Sequence, residues 1–217
     1  MPIPMQREEP KDRGAPAIPD VEAALATFPD FPLDPSTPYG AAFLAHGAAT
    51  FHQAAYLLRR LPYGRNTDRA DPALVLPEGR GTCSTKHALL AHLAAEHGVA
   101  VDLVVGIYEM TEANTPGVGP TLARHNIASL PEAHCYLRIG AVRLDVTRPA
   151  VEGAEPIERF LSEHVIAPEG IGAPKLALHH AAMERWVRER MPGWTVDDAW
   201  RVREACIAAL GQDIGAA

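Results

Sequence analysis

Three side chains of this sequence, Cys83, His134 and Asp145, could together attack an acyl carbon. A thiolate is the nucleophile, an imidazole takes up and returns its proton, and a carboxylate fixes the imidazole's tautomer and stabilises the imidazolium. Cys83 stands near the start of TCSTKHALLAHLAAEHG, where Thr82 suits an N-cap. Leu89, Leu90, Leu93 and Ala94 recur at helical spacing, and Gly98 stands where a C′ glycine ends a helix. Cys83 is therefore expected in the first turn of a largely buried helix. Free N–H groups and the positive end of the helix dipole there favour thiolate over thiol. The same N–H groups could stabilise an oxyanion.

His134 and Asp145 fall in AHCYLRIG and VRLDVT, which read as a hairpin with Gly140-Ala141 as its two-residue turn. Ile139 then faces Val142, Leu137 faces Leu144 and Cys135 faces Val146, so six apolar residues share one face. The other face carries His134, Tyr136 and Arg138 on one strand and Arg143, Asp145 and Thr147 on the other. A one-residue slip would mix the faces, so burial selects this register. Asp145 then lies opposite Tyr136 and diagonal to His134, at about 7 Å or less between Cβ atoms. A polar face turned to solvent on an edge hairpin is the plainer account of the same alternation.

These elements must be held by a chain of 217 residues with 47% hydrophobic and 22% charged side chains, enough for one substantial core. The net charge of −7 argues against a broad basic surface for nucleic acid. No apolar run is long enough to span a bilayer, and the N-terminus lacks a secretory h-region, so no membrane partner and a cytoplasmic location are expected. Three cysteines without a C-x-x-C do not form a disulfide framework or zinc ribbon. Cys135 and Cys206 read as core.

Residues 1–38 hold nine of the 20 prolines and read as an extended arm with one short helical piece at Val21 to Thr27. Tyr39 to Leu61 reads as one helix, Val99 to Tyr108 as a strand, and Glu109 to Glu132 as a long substrate-side loop. Helices are expected near Pro156 to Glu163, Lys175 to Met191 and Val196 to Leu210, with Thr195 and Asp198 resembling a capping box.

GTCSTKHALLAHLAAEHGV followed by EAHCYLRIGAVRLDVTRP resembles the transglutaminase-like superfamily of cysteine enzymes. The pattern is a cysteine at a helix start, a histidine opening a strand and an aspartate on the next strand near a proline. The resemblance covers roughly Leu61 to Pro149. It implies an α+β, papain-like core in which the helix bearing the cysteine packs on an antiparallel sheet. Beyond the resemblance, the proline density and the helical pattern divide the chain into an arm at 1–38, a catalytic core at 39–150 and an extension of extra C-terminal helices at 151–217. The resemblance further implies acyl transfer on a peptide, protein or small amide without metal or organic cofactor.

Further residues could shape the site. Arg65 and Asn66, with Asp68, sit on the loop leading to Cys83, and are expected to line the substrate cleft. Lys86 could add positive potential near the thiolate, its alternative being an exposed helix lysine. His87, one turn after Cys83, could touch the substrate or join Cys83 and His134 in a metal site. Gln53 and Asn66 are upstream amides that could donate to an oxyanion. His179 and His180 point about 100° apart on a helix and do not form one chelate. A silent binding module of the same fold is the alternative to an enzyme.

Overall fold

The computed structural model describes residues 21–149, 153–157 and 159–210. Within them lie eight α-helices and one four-stranded antiparallel sheet, an α+β arrangement. Most of the expected arm, residues 1–20, lies outside the described residues, as do residues 150–152, where the core was expected to end.

Helix α1 (Val21–Leu25) places Val21, Ala24 and Leu25 in the main core. The segment expected as one helix from Tyr39 to Leu61 is two, α2 (Pro38–Ala45) and α3 (Phe51–Arg60). Gly47 takes φ 82°, a left-handed conformation that stops the first helix. The Thr50 hydroxyl then caps the second by accepting the Gln53 N–H at 3.3 Å. A short α4 (Val75–Glu78) leads to α5 (Cys83–Glu96), whose side chains are buried at 11 of 14 positions. So α5 is a central element wrapped on all sides rather than an amphipathic surface helix.

Strand β1 (Asp102–Met110) pairs with β2 (Leu130–Ile139), which pairs with β3 (Val142–Leu144). The expected loop between β1 and β2 is shorter than 109–132 and carries α6 (Gly119–Arg124), because Pro120 favours a helical first turn. Glu112 further orders this loop by accepting N–H groups of Gly117 and Gly119. Where a helix was expected at Pro156 to Glu163, the described residues form none, and the chain enters strand β4 (Ser162–Ile166). β4 pairs with β1, giving the order β3-β2-β1-β4. Non-local pairing thus overrides local propensity there.

Helices α7 (Ala173–Arg190) and α8 (Val196–Leu210) close the described chain. Thr195 and Asp198 make the reciprocal cap at the start of α8. The two helices form a second apolar cluster with Tyr108, Met110 and Leu130 of the sheet, around Met183, Trp186 and Cys206. His179 turns inward to the Pro131 carbonyl at 2.9 Å, while His180 stacks on Trp200.

Gly106 faces His134 across the β1–β2 ladder, and the Phe160 ring lies on it. A Cβ at Gly106 would stand 2.3 Å from that ring. Phe160 in turn packs on Tyr136 and Tyr108, both neighbours of the His134 ring. Gly106→Ala should therefore destabilise the protein by about 1–3 kcal/mol through overpacking. Urea unfolding of the two proteins measures this, and an unchanged midpoint would show that Phe160 moves aside freely.

Candidate active site

The hairpin adopts the expected register, with Leu137 facing Leu144 and Ile139 facing Val142. β3 ends at Leu144, so Asp145 leaves the ladder, yet it still meets His134. His134 Nε2 lies 2.6 Å from Asp145 Oδ2. The other carboxylate oxygen accepts the Thr147 N–H at 2.8 Å and the Thr147 hydroxyl at 2.5 Å. Asp145 is thereby locked in place. The polar face is not a solvent face: His134 is 8% exposed, Tyr136 0% and Arg143 4%.

Cys83 is the first residue of α5, 6% exposed, beside His134. Since Nε2 of His134 is taken by Asp145, Nδ1 is the nitrogen that meets the thiol. The neighbouring buried Cys135 thiol does most to hold Cys83 well below the usual thiol range. Burial opposes this, and the charge of Lys175 and the contact with His134 reinforce it. For Cys135 the neighbouring Cys83 and burial push the other way, well above that range. Burial alone would lower His134, but the Asp145 charge and hydrogen bond raise it to about 10. Burial alone would raise Asp145, but the His134 charge and hydrogen bond, with His87 and Thr147, together hold it well below the carboxylate range. The favoured state is thiolate, imidazolium and carboxylate in a row.

Lys175, from α7, donates to the Ser84 hydroxyl at 2.6 Å from a buried position. That hydroxyl lies 3.9 Å from the Cys83 sulfur and 3.6 Å from the Cys135 sulfur. Burial works against the Lys175 ammonium, yet the neighbouring thiols and Glu132 raise its pKa and keep it charged. Glu132, two residues before His134, is buried and pairs bidentately with Arg203 of α8 at 2.6 and 2.7 Å. Sequence reasoning missed Lys175, Ser84, Glu132 and Arg203. Nothing in their local pattern separates them from surface charges.

A cavity of about 280 Å³ opens on Cys83, His134 and Asp145. Tyr63, Tyr108, Met110, Ile157, Ile207 and Leu210 form much of its wall, and Asn114 and Thr115 of the β1–β2 loop reach it. Arg65, Asn66, Lys86 and His87 do not line it. Arg65 pairs with Glu204 at 2.7 Å. Asn66 is buried, donating to Glu78 and the Arg80 carbonyl while accepting from the Thr85 hydroxyl. Lys86 is fully buried rather than exposed, and donates to the carbonyls of Leu61 and Thr147 at 2.6 and 2.7 Å. Burial brings its pKa down to about 8. His87 accepts the Val146 N–H at Nε2 and bonds the Cys83 carbonyl through Nδ1, so neither nitrogen is turned to a ligand. The Gln53 side-chain oxygen accepts from Ala49, far from any oxyanion role. These residues frame the site instead: Lys86 ties the segment before the cysteine loop to the segment after Asp145.

Tyr63 is better placed than either amide. Reciprocal backbone hydrogen bonds across Pro62, Gly64 and Gly81 hold it against the strand entering Cys83. Its phenol has no hydrogen-bond partner among the described residues, and burial with the Cys83 charge keeps it protonated. Among the described residues no group of three His, Cys, Asp or Glu side chains converges as a metal site. Among the described residues no helix is long and apolar enough to cross a membrane. Comparison with protein-family models, curated proteins and solved structures gave no match to this chain.

The ion pair has a signature in stability. Between about pH 6.5 and 8.5 the unfolded chain holds one proton on the pair, on the thiol. The folded chain also holds one, on His134, up to about pH 10. Equal proton counts mean no slope from this pair. Below about 6.5 unfolded His134 gains a proton, the unfolded state binds more, and stability falls with falling pH. In Cys83→Ala the unfolded chain holds none above 6.5, whereas folded His134 stays protonated through Asp145. Its stability should then fall with rising pH by up to about 1.4 kcal/mol per unit relative to wild type. Thermal unfolding across about pH 6.5–8.5 tests this, and parallel curves for the two proteins would mean that the charged pair does not exist.

Proposed function

We propose that the protein is a cysteine-dependent acyl-transfer enzyme of transglutaminase-like kind, hydrolysing an amide bond through a thioester. The observation that carries this reading is the line Cys83, His134, Asp145 at the floor of an open cleft, with the thiol on a helix N-terminus. The thiolate attacks the carbonyl carbon. The developing oxyanion is met by the free N–H groups of the first turn of α5 and by the Tyr63 hydroxyl. His134 gives its proton to the leaving amine, then takes one from water as that water attacks the thioester. Asp145 holds the ring in the required tautomer throughout. The buried sheet carrying His134 against the helix carrying Cys83 supports a papain-like core.

Acylation by p-nitrophenyl acetate tests the reading without knowledge of the natural amide. A stoichiometric burst of p-nitrophenolate, with an acetyl group on Cys83 by mass spectrometry, is expected. Cys83→Ala should lose both. Absence of the burst in the folded wild type would leave a binding module of this fold.

A further inference from the structure

Among the described residues, one positive charge in the walls of the cleft has no acid paired with it. Most polar groups there are already engaged: Asp145 by His134 and Thr147, Glu132 by Arg203, Thr115 by the Tyr108 hydroxyl, and Asn114 by Thr111 and Glu109 backbone groups. Arg148 has no hydrogen bond or ion pair among the described residues, although it lines the same cavity as Cys83. Its charge is felt by Tyr108, across the cavity wall. The preceding Thr147 is fixed by its amide and hydroxyl on Asp145 and by its carbonyl on Lys86.

The unpaired acid of the cleft, Glu155, occupies a different place. It lines both this cavity and the outer groove of about 570 Å³ formed with Glu109, Arg159, Leu161 and Arg190. Glu155 therefore stands where the two meet, whereas Arg148 lines only the chamber that holds Cys83. A guanidinium in a chamber with apolar walls selects a planar anion that it can bind through two N–H groups. The chamber, about 280 Å³, is at the small end for ligand sites.

Resting on the thiol reading above, we propose that the amide cleaved by this protein carries a carboxylate, which pairs with Arg148 while its carbonyl meets Cys83. The substrate class is then a small acidic amide, or a chain end bearing a carboxylate, rather than an internal peptide bond of a folded protein.

Iodoacetate and iodoacetamide test this, because they alkylate the same sulfur and differ chiefly in charge. Each displaces iodide as the thiolate forms a carbon–sulfur bond. The ratio of their rate constants at Cys83 is measured at pH 7 by peptide mass spectrometry. It cancels any general change in thiol reactivity, and the attraction of His134 and Lys175 is common to all variants. Arg148→Gln should lower the iodoacetate-to-iodoacetamide ratio by about fivefold, the upper range for a partly exposed ion pair. Arg148→Lys should recover part of it. An unchanged ratio in Arg148→Gln, with both reagents still labelling Cys83, overturns the carboxylate site alone. Failure of both reagents to label Cys83 in the wild type overturns the thiol site and this proposal with it.

Discussion

In His134→Ala, the pH midpoint for alkylation of Cys83 should move up toward the ordinary thiol value of about 8.5, from well below it in the wild type. Removing the imidazolium takes away a charge and a hydrogen bond that stabilise the thiolate, and burial then acts with less opposition. The shift should stop short of an isolated buried thiol, because Cys135 and Lys175 still favour the thiolate. The midpoint is the informative readout. At a single pH two effects offset each other, since a more basic thiolate is scarcer but more nucleophilic. Turnover has no such compensation: loss of the acid-base group should lower it by about 10²–10⁴-fold. Asp145→Asn complements this test, because His134 loses the charge that keeps it protonated to about pH 10. A midpoint that ignores His134 would show that the neighbouring thiol and lysine alone set the state of Cys83.

The second large effect concerns stability. Arg203→Met should cost about 3–5 kcal/mol, the range for stripping a buried ion of its partner. The Glu132 and Arg203 side chains are 7% and 12% exposed and joined by two hydrogen bonds. Alone, Glu132 would keep a distant His179, at 3.9 Å, and the more remote charge of Lys175. Burial would then drive its carboxylate toward the neutral form. The double variant Glu132→Met with Arg203→Met should regain most of the loss, since an apolar pair carries no desolvation cost. Denaturant unfolding of Arg203→Met, of Glu132→Met alone and of the double variant gives the coupling directly. A loss below about 1 kcal/mol in Arg203→Met would mean that water from the cleft solvates Glu132 and that the pair is effectively a surface one.

The parts of this site legible in the sequence were those specified by local pattern. Alternation of apolar residues on both sides of Gly140-Ala141 set the hairpin register, and with it the meeting of His134 and Asp145. Thr82 and the leucine stripe placed Cys83 at a helix start. What escaped was decided by groups far apart in the chain. Lys86 reads as a surface lysine because lysines are rarely buried, and its partners are two carbonyls at Leu61 and Thr147. Lys175 lies 91 residues from the serine it bonds. Ser162–Ile166 is a strand only because β1 offers an open edge. The substrate-side roles expected for Arg65 and Asn66 fail for the same reason: Glu204 and Glu78 claim them.

The two buried lysines have a practical corollary in bioconjugation. The chain has three lysines, and those among the described residues, Lys86 and Lys175, both have their amino groups enclosed. The remaining exposed cations of the folded body are arginines. Amine-directed reagents such as succinimidyl esters should leave this body unmodified while it stays folded, and modification of Lys86 or Lys175 would report that it has opened. Among its described residues, a protein proposed to form acyl intermediates thus presents no exposed lysine to accept an acyl group from a neighbouring copy.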